Sequence, residues 1–444
     1  MKILGVSFLV LMSFIVLAQD EKQFGIRFSG FVKTDLLYDS RQTVDAREGH
    51  FLLYPKNEFL DSKGLDINAD GKLNILSIQT RLTGHITGPD AFGAKTSGLI
   101  EGAFFGNINS DINGFRLRHA FVKLTWEKSE LLVGQFWHPM FVTACYPGTV
   151  SFNTGAPFEP FTRNPQVRFT KTFGKFSATG AVIEQIDFKD TGPDGESPKY
   201  LINSGIPEIN LYLEYKSDDF LIGGGVNHKV LRPRLSITVP GGFNWWYTIP
   251  DLTVKTKETV SGTSFFGYVR TVTDPVTIKL YGVFGQLMYG MTNLGGYAEN
   301  EIIIDTVFGS GPGPGGVPYF YFEDAGITYT PYNTLSTWID IHTNGKKMQA
   351  GLFAGYAKNM GTSDPIGGSI YARGADIDYV YRIAPRLIYN SGKVQIAPEI
   401  EYTVAAYATT NSATGQMNRD EKGKITGSKE IVNFRFLIGI YYFF

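Results

Sequence analysis

A two-residue rhythm governs what this chain can fold into. In 433–444, Phe434, Phe436, Ile438, Ile440, Tyr442 and Phe444 fall on one face with no polar member. In 393–407, Val394, Ile396, Ile400, Tyr402 and Val404 oppose Lys393, Gln395, Glu399, Glu401 and Thr403. In 376–390, Ile377, Tyr379, Tyr381, Ile383, Leu387 and Tyr389 oppose Asp376, Asp378, Arg382, Arg386 and Asn390. Successive side chains of a strand point to opposite sides, so each segment reads as a strand with one apolar and one polar face. Apolar residues at helical spacing are few, and the 51 glycines and the aromatics sit throughout the periodic segments.

The spacing of the segments narrows the fold further. Strands are predicted at 24–38, 72–87, 96–106, 115–127, 129–138, 165–173, 174–186, 207–216, 218–231, 258–273, 275–290, 325–342, 346–357, 374–390, 393–409 and 427–444. Long connections (39–71, 107–114, 139–164, 187–206, 232–257, 291–324, 358–373, 410–426) alternate with tight ones such as Phe173-Gly174-Lys175 and Asn390-Ser391-Gly392-Lys393. The Gly-Pro run Gly309–Pro318 reads as loop. An even strand count with short turns at one end and long loops at the other is the layout of an outer-membrane barrel. Lipid offers no hydrogen bonds, so every strand edge must be paired and the sheet must close. A soluble sandwich also alternates, but it has no reason to sort its loops by length. The expected fold is all-β: a transmembrane antiparallel β-barrel of 16 strands, in a single domain over 19–444. One segment breaks the alternation. In 115–127, Arg116 and Arg118 share parity with Val122, Leu124 and Trp126, which a bulge near His119–Ala120 or a shifted boundary reconciles.

The opening fits this address. Residues 1–18 carry Lys2, an apolar run from Ile3 to Leu17 and a small-residue end at Val16-Leu17-Ala18, followed by Gln19-Asp20-Glu21-Lys22. That is the pattern of a cleaved signal peptide, shorter than a spanning helix needs. The expected location is the bacterial outer membrane. Lys plus Arg is 41 against 42 for Asp plus Glu, a net charge of −1 that argues against a nucleic-acid partner. A single cysteine, Cys145, allows neither an intramolecular disulfide nor a Cys-based zinc cluster.

Several segments resemble those of the DcaP-like porins: Phe28-Ser29-Gly30-Phe31-Val32-Lys33-Thr34-Asp35, Leu76-Ser77-Ile78-Gln79-Thr80-Arg81-Leu82, Arg116-Leu117-Arg118-His119-Ala120-Phe121-Val122, and Leu132-Val133-Gly134-Gln135-Phe136-Trp137-His138-Pro139-Met140. The terminal Ile440-Tyr441-Tyr442-Phe443-Phe444 looks like the aromatic signal read by the barrel assembly machinery. The resemblance is best over 24–173, and the long first loop, 39–71, is less clearly matched. It implies a homotrimeric porin whose third long loop, here 139–164, folds into the lumen. It also implies small negatively charged solutes, dicarboxylates among them.

Sixteen strands leave an aqueous channel, so function follows from what points inward. The parity turns Arg27, Lys33, Asp35, Arg81, His85, Arg168, Glu214, Lys279, Arg382, Arg386, Glu399, Glu401 and Arg435 to the lumen. The candidate pore-lining and solute-binding residues are Arg81, Arg116, Arg118, Arg168, Lys279, Arg382, Arg386, Glu399 and Glu401. Convergence of the six arginines of this set near 139–164 would form a positive strip. Charged rings in a narrow pore select by sign, and the arginine fork suits carboxylates. The bland alternative makes each arginine a solvated lumen residue, or one neutralised by Glu399, Glu401, Asp376 or Asp378. Loop 139–164 carries only Glu159 and Arg163 as charges among Phe141, Tyr146, Phe152, Phe158 and Phe161, which suits packing on the inner wall; covering a trimer contact is the other reading.

Other motifs carry less. Asp66, Asn68, Asp70 and Gly71 match the start of a calcium loop, but position twelve is Ser77, and a polar turn entering the second strand explains them better. The six histidines form no HxxxH pair. The expected function is a passive outer-membrane porin for small hydrophilic solutes with a preference for anions, with no catalytic step and no cofactor. Its partners would be solute, outer-membrane lipid, the assembly machinery through the Phe444 segment, and two further copies of the chain. The alternatives are a closed-lumen surface-recognition barrel and, further off, an outer-membrane barrel hydrolase.

Overall fold

In the computed structural model, residues 24–106, 109–239, 243–244, 247–248, 251–312 and 318–444 are described; the signal-peptide reading of 1–18 lies outside them. Sixteen strands among them form the wall. They are β1 (Gly25–Asp39), β2 (Lys72–Leu76 and Arg81–Thr87), β3 (Lys95–Phe104), β4 (Phe115–Thr125), β5 (Ser129–Trp137), β6 (Arg163–Phe173), β7 (Phe176–Ile183) and β8 (Glu208–Lys216). Then follow β9 (Phe220–Leu231), β10 (Val260–Val272), β11 (Val276–Gln286), β12 (Pro318–Thr343), β13 (Met348–Thr362), β14 (Ile377–Ser391), β15 (Val394–Ala408) and β16 (Ser428–Phe443). Each pairs antiparallel with its sequence neighbours, and β1 pairs with β16 from Phe31↔Phe443 to Asp39↔Arg435, which closes the cylinder.

The apolar faces read in the sequence point outward. Phe434, Phe436, Ile438 and Ile440 on β16 are exposed, while the alternate residues Asn433, Arg435 and Leu437 are buried. The same belt continues through Phe28, Ile100, Phe169, Leu211, Phe265, Leu352 and Ile396 around the circumference. An apolar belt on every strand is what lipid, and not water, stabilises. No helix among the described residues is long and apolar enough to cross a membrane.

Two irregularities re-aim side chains. On β4 the register passes from Glu101↔His119 to Gly102↔Leu117, so the extra residue is Arg118, one position before the expected bulge. Arg116, Arg118 and His119 thereby all face inward, while Leu117 and Val122 face out. On β14 a register shift between Ile377 and Tyr379 turns Ile377 into the core, off the outer face on which it was expected.

The long connections are more structured than the sequence suggests. The stretch expected as loop 291–324 contains a strand, Gly295–Pro312, paired from Tyr297↔Pro331 to Pro312↔Pro318 with the upper half of β12. Of the Gly-Pro run expected as loop, Gly309–Pro312 and Pro318 belong to that hairpin, and 313–317 lie outside the described residues. The loop after β1, L1, is not a free loop either. Its strands Thr43–Ala46 and Phe51–Pro55 form a hairpin that turns back into the barrel.

Candidate functional site

The lumen is shaped by L1 and by L3, the connection 138–162 between β5 and β6. L3 contributes Met140, Phe141, Val142, Cys145, Phe152, Ala156, Phe158 and Phe161 to one apolar cluster with Phe51, Leu53 and Tyr54 of L1 and with Trp338 and Phe353 of the wall. A fully buried Phe stabilises by roughly 1.5–3 kcal/mol, which accounts for an aromatic-rich loop leaving water for the inner wall. The wall makes room with small residues. A Cβ on Gly355 would sit 2.5 Å from the Phe158 ring, and one on Gly351 2.5 Å from the Arg386 guanidinium.

Polar wall residues then bolt both loops in place. Glu399 accepts hydrogen bonds from the Val150 and Ser151 amides at 2.8 and 2.9 Å. Asn153 donates to Glu401, and Lys33 to the Val150 carbonyl. Arg382, with no exposed surface, donates to the Ala156 carbonyl of L3 and the Leu53 carbonyl of L1, both at 2.8 Å. Arg435 donates to the Gly49 carbonyl, Tyr407 to the Pro55 carbonyl, and His50 meets Asp35 at 2.6 Å. Arg386 makes two hydrogen bonds to Asp340, at 2.8 and 3.0 Å. Lys279 donates to the Tyr146 carbonyl, and Arg270 to that of Ala144.

The side lined by β2–β6 differs. Arg118 binds Glu101 at 2.7 Å and Arg81 approaches the same carboxylate at 3.5 Å. Arg116 and Arg163 share Asp187, in the loop L4 after β7, at 2.8 and 2.6 Å. Four guanidiniums thus climb one wall on two carboxylates. Burial opposes the charge on Asp187, but Arg163 and Arg116 outweigh it and hold its pKa below the usual carboxylate range. Arg168 stands below the ladder, donating to the Trp137 carbonyl at 2.6 Å.

Open space lies along this side. Toward the long loops is a cavity of about 600 Å³, whose charged lining is Arg47, Arg116, Lys189 and Arg373 with Asp45, Asp187 and Glu196, beside Phe51. Toward the short turns is one of about 490 Å³, lined among others by Arg81, Glu101, Arg118, His119, Phe152 and Phe161. The aromatic layer separates them: the Phe51 ring centroid lies 5.0 Å from that of Phe161 and 5.8 Å from that of Phe152.

The six arginines expected as one strip therefore occupy two places. Arg81, Arg116 and Arg118 stand together beside the cavities, with Arg168 near them. Arg382 and Arg386 lie on the far wall, enclosed with Asp340, Glu399 and Glu401. Two members of the cationic wall escaped the strand parity because they sit at or in loops. Arg163 was visible only as an odd charge in an apolar loop, and Arg47 carried no signal. Asp66 of the calcium-like segment is occupied by Arg41 and by the amides of Phe59 and Asn68.

No protein-family model and no curated protein matches the sequence. Solved structures do match. The outer membrane channel DcaP of Acinetobacter baumannii aligns with a TM-score of 0.62 at 16% identity, over 95% of this chain and 97% of that one. OmpT, an outer membrane protein of Vibrio cholerae, gives 0.52 at 10%, over 95% and 98%. An anion-selective porin from Comamonas acidovorans gives 0.51 at 12%, over 95% and all of that chain. The chain has the fold of the DcaP-like outer-membrane porins, a closed barrel of sixteen antiparallel strands.

Proposed function

We propose that the protein is a passive diffusion porin that favours small anions, dicarboxylates among them. The observation that carries the reading is the β2–β6 wall, where Arg81, Arg116, Arg118 and Arg163 gather on Glu101 and Asp187, and Arg81, Arg116 and Arg118 line open space. A surplus of two positive charges in a narrow, partly dehydrated passage raises the local concentration of anions and repels cations. Planar guanidiniums also match carboxylates in geometry. Transport needs no covalent step and no cofactor. One OmpT structure from Vibrio cholerae is of a trimer form, and a homotrimer is the assembly proposed here. Lipid around the apolar belt and the assembly machinery at the Phe444 end complete the proposed partners.

The packed aromatic layer favours one rival, a barrel closed to solutes that acts through its long loops. Planar-bilayer recording separates the two. The porin reading predicts stepwise conductance and, under a potassium chloride gradient, a reversal potential of anionic sign. A folded protein that inserts without conductance contradicts it.

A further inference from the structure

The hairpin of L1 reaches deep. Its His50 meets Asp35, four residues below the upper end of β1, a depth of about 13 Å at strand rise. Its next residue, Phe51, is 1% exposed and stands where the two cavities meet: Phe51 lines the upper one, and Phe152 and Phe161, against which it packs, line the lower. Across from this trio run Arg116, on the upper cavity, and Arg118, on the lower. The Phe51 ring and the two arginines thus stand at the level where the upper cavity gives way to the lower.

The hairpin also supplies a cation. Arg47 and Glu48 both adopt positive φ, 60° and 56°, a conformation that costs a side-chain-bearing residue roughly 1–2 kcal/mol. This turn lays the Arg47 side chain over the Phe105 ring at 5.5 Å, with Arg116 on the same ring at 5.8 Å. Arg47 is 5% exposed and its Nε has no hydrogen-bond partner among the described residues, although it lines the upper cavity. A buried guanidinium N–H left without an acceptor is costly, and an anion in the cavity would satisfy it.

Resting on the porin reading, we propose that the L1 hairpin is the second half of the constriction: Phe51 sets the bore, and Arg47 sets the charge met by a solute entering from the long-loop side. Phe152 and Phe161 of L3 back the Phe51 ring, and Arg116 and Arg118 of β4 supply the fixed counter-surface. The hairpin's bolts, Arg382 to Leu53 and Arg435 to Gly49, make it a rigid jaw and not a free lid.

The test uses the full-length protein in planar bilayers and in liposomes, with potassium chloride and a series of neutral sugars as probes. Barrel folding of each variant is checked by heat-dependent gel migration. Phe51→Ala is expected to raise single-channel conductance at least about two-fold and admit larger sugars, Phe51→Leu to do so by less, and Phe51→Trp to lower both. Arg47→Gln is expected to lower the chloride-over-potassium permeability ratio by about two-fold. Wild-type conductance with folded Phe51 variants of unchanged conductance and sugar limit overturns the inference and leaves the porin reading standing. Silence of the wild type and of every Phe51 variant overturns the porin reading itself.

Discussion

Two walls of one lumen carry the same residue types and do different work. On the β14–β16 and β1 side, with Asp340 of β12, the cations Lys33, Arg382, Arg386 and Arg435 face the carboxylates Asp35, Asp39, Asp340, Glu399 and Glu401. Four cations meet five anions, and nearly all are buried against L1 and L3. On the β2–β6 side four cations are held on two anions, and three of the four, Arg81, Arg116 and Arg118, line the cavities. An arginine in a pore is therefore no measure of selectivity by itself. The balance of its neighbours, and whether it lines a cavity of the lumen, decide between a bolt and a field.

Breaking the packed wall should have the largest effect. Arg386→Ala leaves buried Asp340 with only His342 and the Gly148 amide as partners, and removing one partner of a buried pair costs up to about 3–5 kcal/mol. Thermal melting of the refolded barrel checks this, with a clear fall in Tm expected. Gly355→Val comes next, because its side chain meets Phe158 of L3. L3 should lift from the wall, giving higher conductance and faster protease cleavage within 138–162. A third effect follows from screening. The Debye length shrinks from about 10 Å at 0.1 M salt to about 3 Å at 1 M, so the anion preference of the β2–β6 wall should fall steadily over that range in reversal-potential measurements.

The smallest effects concern protons. Asp187 loses its charge only below the usual carboxylate range, because Arg163 and Arg116 overcome its burial. Burial and the neighbouring Arg116 bring Arg47 down to about 10, so it loses charge only as the pH rises through that value. Selectivity should therefore stay flat from pH 5 to 8 and weaken above about pH 10. Glu159 is the converse case. Burial raises its carboxyl well above the ordinary range, and the carboxyl accepts from the Trp338 indole N–H. Glu159→Gln keeps an acceptor for that N–H, and melting of this variant should match the wild type within about 0.5 kcal/mol.

The wall was legible in the sequence because lipid demands one wholly apolar face per strand, and β16 shows it residue by residue from Phe434 to Ile440. Even the break at Arg116–Ala120 announced a bulge, misplaced by one residue. The lumen was less legible. Arg382 and Arg386 had the right parity, but their partners Asp340, Leu53 and Ala156 are remote in sequence, and only closure of the barrel brings them together. The inward fold of L3 followed from its aromatic content. That of L1 did not, since Phe51-Leu52-Leu53-Tyr54 is too short a run to declare which surface it covers.

The central claim is that the β2–β6 wall, through its surplus of two positive charges, sets the ion preference. Arg116→Gln combined with Arg163→Gln removes that surplus. The direct measurement is the reversal potential of this double variant and of the wild type under the same potassium chloride gradient. A clear anionic potential in the wild type, collapsing toward zero in a variant that still conducts, is the predicted result. An unchanged anionic potential in the conducting double variant would contradict the account.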